Sequence, residues 1–204
     1  DTLRSRGLGD VYKRQRILSE CAREIRSVVD LPIQAQCEPP HDHQWHCRMK
    51  EAGIDSLGMH IEVVNPQLRR KIMPGKSQVS LEKYFESFNF AVDVFGWGQV
   101  STYILAGLGD TVDEIIGICR KLTSIGVYPF VVPFVPVSGT PLESHAPPSP
   151  KFMRSILEPL AEMIKESGMG ADKIKAGCGR CGACSALSAF ERIKQLSTRE
   201  PLAC

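Results

Sequence analysis

From Arg16 onward, stretches of helical apolar spacing alternate with short β-rich runs, the pattern of repeated β-α units around a parallel sheet. Ile17, Leu18, Cys21, Ile25 and Val28 predict an amphipathic first helix, followed by a strand from Leu31 to Cys37 that ends at Glu38-Pro39-Pro40. Asp42 is placed to cap a second helix with Trp45, Met49 and Ala52 on one face. Ser56 to Val63 reads as the next strand. Leu81, Phe85, Phe88, Val92 and Phe95 recur at four-three-four-three spacing, a core-facing helical stripe that ends at Gly96. A strand from Val100 to Leu105 follows, then a glycine turn and a helix packed through Val112, Ile115, Ile116, Cys119 and Leu122. Tyr128 to Val137 is the last predicted strand, and a final helix runs from about Lys151 to Ser167 with Pro159 inside it. Four strands with helical returns predict an α/β fold: a partial (β/α) TIM-like barrel containing its later strands, with a cysteine-rich C-terminal extension.

Composition narrows the class. The 204 residues are 43% hydrophobic, enough for one domain with a core, and no apolar run is long enough to span a bilayer. No secretory signal pattern opens the chain, so a cytoplasmic setting with reduced thiols is expected. Residues 1–15 show no apolar periodicity and resemble translated sequencing adapter, which predicts an unstructured artefact attached to a natural chain that starts upstream of Arg16. They hold four basic and two acidic residues; the remainder carries 21 of each and no net charge, so no nucleic-acid partner is expected. The predicted division is 1–15, a barrel segment 16–168, and the extension 169–204.

The extension holds the most specific chemistry. Cys178-Gly-Arg-Cys181-Gly-Ala-Cys184 places three thiols at two successive C-x2-C spacings among small residues that let the backbone curl around a metal centre. An iron-sulfur cluster is the leading reading. Zinc also takes C-x2-C pairs, but a closed structural zinc site takes four ligands, usually as two separated pairs. Three unligated thiols in a tight loop are the remaining alternative.

Barrel sites lie at the C-terminal ends of the strands. In Ser56 to Val63, Leu57, Met59, Ile61 and Val63 share the face expected under the helices, and Gly58, His60 and Glu62 share the other. His60 and Glu62 therefore point together into the mouth, as ligand contacts or as a mutually satisfied polar pair. Ser101, Tyr103 and Leu105 share a face of the next strand, and Gly107-Leu108-Gly109 lets backbone come close to whatever fills the mouth. Pro133, Pro136 and Gly139 repeat the irregularity after the last strand.

Gly58-Met-His60-Ile-Glu62, Asn65-Pro66, Pro74-Gly-Lys76, Thr102-Tyr-Ile-Leu-Ala-Gly107-Leu-Gly-Asp110 and Ser138-Gly-Thr-Pro-Leu142 together resemble the radical S-adenosylmethionine enzymes of the biotin and lipoyl synthase type. With the cysteine tail, the chain is most similar to a bacterial branch encoded beside a nitrilase-like enzyme. The resemblance implies S-adenosylmethionine as cofactor, a primary [4Fe-4S] cluster, a small-molecule substrate, and a reductant protein such as flavodoxin or ferredoxin. It implies that His60 and Glu62 contact the ribose and amino-acid portions of the cofactor, and that Leu105 packs on adenine beside Gly107. It further implies that the Val137 backbone meets the adenine edge and that Lys76 meets the carboxylate. The family's C-x3-C-x2-C loop is absent from this sequence, so the segment alone is expected to be inactive, with Cys178, Cys181 and Cys184 holding an auxiliary cluster.

Other candidates rank lower. His41, His43, His46 and Cys47 include metal-ligand types, but helical spacing divides them and solvated helix-start residues are expected. Cys37 ends a strand where biotin synthases carry a cluster cysteine; Ser101 stands where those enzymes have another, against a cluster of that kind. Cys21 and Cys119 are expected in the core, and Cys204 is a fourth cluster ligand only if the tail folds back.

Overall fold

Short polar residues ahead of the helices set where each begins. Ser80 and Ser149 accept hydrogen bonds from the Lys83 and Phe152 amides, and Thr111 forms a reciprocal capping box with Glu114. Asn65 accepts from Gln67 and Leu68, with Pro66 in the first helical position. A computed structural model describes residues 8–197, with side chains described for 14–192. The helices are α1 (Leu8–Val28), α2 (Gln44–Glu51), α3 (Pro66–Ile72), α4 (Leu81–Phe95), α5 (Val112–Ser124), α6 (Pro150–Glu166), the single turn α7 (Cys178–Cys181) and α8 (Leu187–Ser197). The strands are β1 (Gln34–Gln36), β2 (Ser56–Gly58), β3 (Val100–Ala106) and β4 (Val127–Pro133).

The four strands pair in parallel in the order β1-β2-β3-β4, an open arc of a TIM-like barrel. Leu57, Val100, Ile104, Val127 and Val131 form the outer face of the sheet and are fully buried beneath the helices. The expected outward set continues past β2, where Met59, Ile61 and Val63 are also fully buried. Register places Gly58 beside Ser101, Ser101 beside Tyr128, and Tyr103 beside Phe130, which makes these the inner face.

Several elements depart from the pattern. Residues 8–15 were expected to be unstructured, yet they form the start of α1, where Gln15 is buried and its carbonyl accepts from Ser19. Residues 1–7 lie outside the described part. On α1 the apolar stripe faces outward: Ile17 is 50% and Val28 78% exposed, and Cys21, expected in the core, is exposed. The buried side is instead Gln15, Ser19 and Ala22, because Arg26 turns that face toward the next unit through Gly53 O and an ion pair with Asp55. On α4 the contact face is rotated, with Tyr84, Phe88, Ala91 and Phe95 buried and Phe85 and Val92 half-buried. β1, β2 and β4 are shorter than expected, and α3 occupies a stretch for which no element was expected.

Candidate functional site at the strand ends

Beyond β2 the chain stays beside β3 but bends sharply at Glu62. The Glu62 amide donates to Tyr103 O and its carbonyl accepts from Leu105 N, both at 2.8 Å. Between these bonds Glu62 holds a φ of 60°, and the Val63 amide returns to Ile61 O at 2.8 Å, closing a tight turn. The bend directs the carboxylate to Lys76, which follows the Pro74-Gly75 turn; Lys76 Nζ lies 2.7 Å from Glu62 Oε1.

His60 sits beside this pair. Its Nδ1 accepts from the Tyr103 amide at 3.1 Å, and its ring meets the Tyr103 ring edge-on at 4.8 Å between centroids. Burial lowers its pKa to about 4, Lys76 pushes it the same way, and Glu62 opposes them. A neutral ring accepting at Nδ1 carries its proton on Nε2, so His60 presents a hydrogen-bond donor next to the Glu62 carboxylate. Gly58 makes room for the ring, because a Cβ there would stand 2.9 Å from His60 Cε1.

Two further groups, neither assigned a role from the sequence, hold this turn. Arg69 is 3% exposed and donates to the carbonyls of Ile61, Val63 and Lys76, with its guanidinium 5.1 Å from the centre of the Tyr84 ring. Asp110, equally buried, accepts from the amides of Val64 at 3.0 Å and Asn65 at 2.7 Å. Burial raises its pKa against the lowering effect of those two bonds. In the sequence Arg69 is one of an Arg-Arg pair, and nothing distinguishes the buried member.

Leu105 and Gly107 continue the site along β3. Gly107 has a φ of 106°, a Cβ on it would stand 2.8 Å from Pro148, and its carbonyl is 2.7 Å from His145 Nε2. The structure thus brings His60, Glu62, Lys76 and Leu105 into one bonded group, with Gly107 two residues farther on. Val137 is 60% exposed on the loop after β4, its carbonyl taken by the Thr140 hydroxyl at 2.7 Å.

The cysteine run reaches the inner face of the same sheet. The chain ahead of it is tied across the N-terminal ends of the strands, by Gln99 to Lys173 O and Lys175 N and by the Ser56 hydroxyl to Ala176 O. Cys178 and Cys181 then occupy α7 between Gly177 and Gly182, both at positive φ. Burial raises the pKa of the Tyr103 hydroxyl, and the neighbouring thiols of Cys178 and Cys184 push it the same way. Gln36 Nε2 lies 4.0 Å from Cys178 Sγ, and the Ser185 hydroxyl donates to Val131 O at 2.6 Å. Cys178 is half-buried, Cys181 and Cys184 are exposed, and all three are free thiols. Among the described residues, no three His, Cys, Asp or Glu side chains gather closely enough to hold one metal ion.

The remaining candidates resolve differently. His46 was expected to be solvated, but it is fully buried, 2.9 Å from Ser87 Oγ and stacked near His43 and Phe90. Packing of α2 on α4 encloses it, and burial, with His43 second, lowers its pKa to about 4. Cys119 is buried in the core, and burial raises its pKa. The Cys37 thiol is pushed up to about 12 by burial and then by Glu38, so it stays protonated near neutral pH. Ser101 accepts from Gln34 Nε2 at 3.2 Å. Cys204 lies outside the described residues.

The comparisons with known proteins bear on this arrangement. No family model matches the chain. The structure superposes on coproporphyrinogen III oxidase HemN from Escherichia coli, described as a radical SAM enzyme, with a TM-score of 0.56 at 15% identity, covering 76% of this chain and 37% of that one. The chain shares its fold with the matching part of that enzyme. TsrM from Kitasatospora setae, a radical S-adenosylmethionine methyltransferase, aligns over 92% of this chain and 49% of its own at a TM-score of 0.46 and 11% identity. In sequence, the chain is 30% identical over 136 residues to bacteriochlorophyllide c C-7(1)-hydroxylase of Chlorobaculum limnaeum. The match takes in 66% of this chain and 34% of the hydroxylase, so the chain spans about a third of that relative's length. No helix among the described residues is long and apolar enough to cross a membrane.

Proposed function

We propose that this chain is the S-adenosylmethionine-binding part of a radical S-adenosylmethionine enzyme of the biotin and lipoyl synthase type, with an auxiliary iron-sulfur centre in its C-terminal extension. The observation that carries the reading is the His60-Glu62-Lys76 group, built on a strained turn at the strand ends of this fold. Its donor set suits the cofactor. The Glu62 carboxylate accepts from ribose hydroxyls or an ammonium, neutral His60 donates from Nε2, and Lys76 offers a cation for a carboxylate. Leu105 supplies an apolar wall for adenine beside Gly107, and the Val137 backbone its polar edge. Arg69 and Asp110 hold the Glu62 turn in the shape that binding requires.

S-adenosylmethionine, cleaved reductively at a [4Fe-4S] cluster, supplies a 5′-deoxyadenosyl radical that takes hydrogen from a small-molecule substrate. The cysteines of this sequence contain no C-x3-C-x2-C spacing, so this chain's own part is to bind and orient the cofactor. Cys178, Cys181 and Cys184 are the ligands of the auxiliary centre in this reading, because they follow one another at C-x2-C spacing among small residues and the glycine-flanked turn of Cys178 and Cys181 lies at the inner face of the arc. A flavodoxin- or ferredoxin-like reductant and a cytoplasmic setting belong to the same proposal.

Equilibrium dialysis of anaerobically reconstituted protein against labelled S-adenosylmethionine tests it. Saturable binding of one cofactor per chain is expected, at least about tenfold weaker in Glu62→Gln, equivalent to about 1.4 kcal/mol. No saturable binding to the wild-type chain, or equal binding by Glu62→Gln, rejects the site.

A further inference from the structure

The strand-end site is closed at rest by one of its own residues. Glu62 sits on its turn at a φ of 60°, and its Oε1 is held by Lys76 Nζ at 2.7 Å. Both side chains still reach solvent, Glu62 being 28% and Lys76 19% exposed, so the pair is open to a ligand. Lys76 stands on a fixed backbone. Arg69 donates to Lys76 O at 3.4 Å and to the carbonyls of Ile61 and Val63, so one buried guanidinium anchors the lysine and the Glu62 turn together. The Pro74-Gly75 turn ahead of it is exposed, and a Cβ on Gly75 would meet nothing within 4 Å. What can move against this anchor is the lysine side chain, a flexible four-carbon stem that carries a point charge.

While Lys76 holds Glu62, the charge of the carboxylate is already matched, and His60, neutral, gives neither partner a substitute. A ligand that brings only a cation exchanges one ion pair for another and leaves the Lys76 ammonium without an anion. A ligand that brings only a carboxylate strands Glu62 in the same way. A ligand that carries an ammonium beside a carboxylate makes two charge-assisted pairs where one stood. We propose that the Glu62-Lys76 ion pair is a latch on this site, opened by exchange of partners with an α-amino-acid zwitterion, and that it selects such a head against ligands carrying either charge alone. Lys76 is then a specificity-determining residue, which competes for Glu62 as well as meeting the carboxylate. The inference rests on the cofactor-binding reading of this site given above.

The test measures equilibrium binding of two probes to the full chain: S-adenosylmethionine, and its decarboxylated analogue, which keeps the sulfonium and the ammonium and lacks the carboxylate. The chain is used as wild type, Lys76→Met, which keeps the stem and removes the charge, and Lys76→Arg, which keeps the charge. Wild type should bind S-adenosylmethionine at least about tenfold more tightly than the analogue. In Lys76→Met that preference should collapse from both sides, with S-adenosylmethionine bound more weakly than by wild type and the analogue bound more tightly. A lysine that only met the carboxylate would leave binding of the analogue unchanged. Lys76→Arg should restore the preference. Equal binding of the two probes by wild type overturns the latch whether or not the variants fold. An analogue bound no more tightly by Lys76→Met than by wild type overturns it too, and leaves the cofactor site standing if Glu62→Gln still weakens binding of S-adenosylmethionine. No saturable binding of S-adenosylmethionine to wild type, or equal binding by Glu62→Gln, overturns the site and this inference with it.

Discussion

Glu62 is a non-glycine residue at a φ of 60°, where the backbone alone would prefer glycine. Its side chain is partly solvated, and its ion pair with Lys76 contributes at most about 1 kcal/mol to stability. Strain kept for so little folding benefit points to a role in binding. Glu62→Gly relieves the strain and Glu62→Ala keeps it, so the glycine variant should be more stable than the alanine variant by about 1 kcal/mol in urea unfolding. Both should bind S-adenosylmethionine more weakly than wild type. Alternation along the strand made His60 and Glu62 legible in the sequence, because a period of two puts them on one face whatever the rest of the fold does. His46 was not legible: its enclosure depends on α4, some forty residues away, bringing Ser87 and Phe90 to it. With its pKa lowered to about 4 from an unfolded value near 6.5, His46 favours folding fully above pH 6.5. That contribution is lost as pH falls from 6.5 toward 4, because the unfolded chain then binds the extra proton. His46→Gln should therefore flatten the acid side of the stability profile between pH 6.5 and 4, by on the order of 3 kcal/mol. Urea midpoints measured across that range check it.

At the scale of elements, periodicity located the helices better than it oriented them. Leu81 to Phe95 was read as one helix and is one, yet Tyr84 and Ala91 lie deeper than Phe85 and Val92. Hydrophobicity records that a face is covered; the angle at which the neighbouring strand meets the helix decides which residues lie at its centre. α3 escaped for another reason. Its seven residues are too few for a repeat, and its start is fixed by the Asn65 cap and Pro66. The link between α3 and α5 is equally local. Asp110, just before α5, accepts from Val64 and Asn65, while Asn65 Nδ2 donates to Glu114 Oε1 at 2.7 Å. This joins the turn after Glu62 to the capping box of the next unit. Asp110→Ala leaves the buried Val64 amide and the half-buried Asn65 amide without their acceptor and should cost about 1–3 kcal/mol for each group that finds no new partner. Amide exchange at Val64 and Asn65 should accelerate, while the Glu114 amide, held by Thr111, stays protected. Equal acceleration at all three would mean that the clip acts on the whole element and not on the turn.

For the molecule as a whole, the sequence separated barrel and extension at about residue 168, whereas the structure interlocks them. Ser56, Gln99, Tyr128 and Val131, all from the sheet or its lower edge, hold residues 169–191 through Ala176, Lys173, Glu191 and Ser185. None of these contacts follows a period, and each joins positions more than fifty residues apart, so no local pattern could announce them. What the sequence carried was composition: a glycine-rich run with three thiols, whose need for close backbone approach was readable and whose destination was not. The destination gives Gly177 its weight. It has a φ of 97° and packs directly against the Gln34 side chain, so a methyl group there is both strained and obstructed. Gly177→Ala should lift the run from the inner face and lower stability by about 1–3 kcal/mol, through strain and the loss of the Ser56 bond to Ala176. Limited proteolysis should then cut within residues 169–187 faster than in wild type, while the barrel fragment stays intact. Gly75→Ala is the control: a Cβ at Gly75 meets nothing within 4 Å, and its φ of −67° suits any residue. If both variants are cut at the same rate, the extension is not held by the sheet in the way its contacts indicate. If only Gly177→Ala opens, the cysteine run owes its place inside the barrel to the fit of that one glycine against β1.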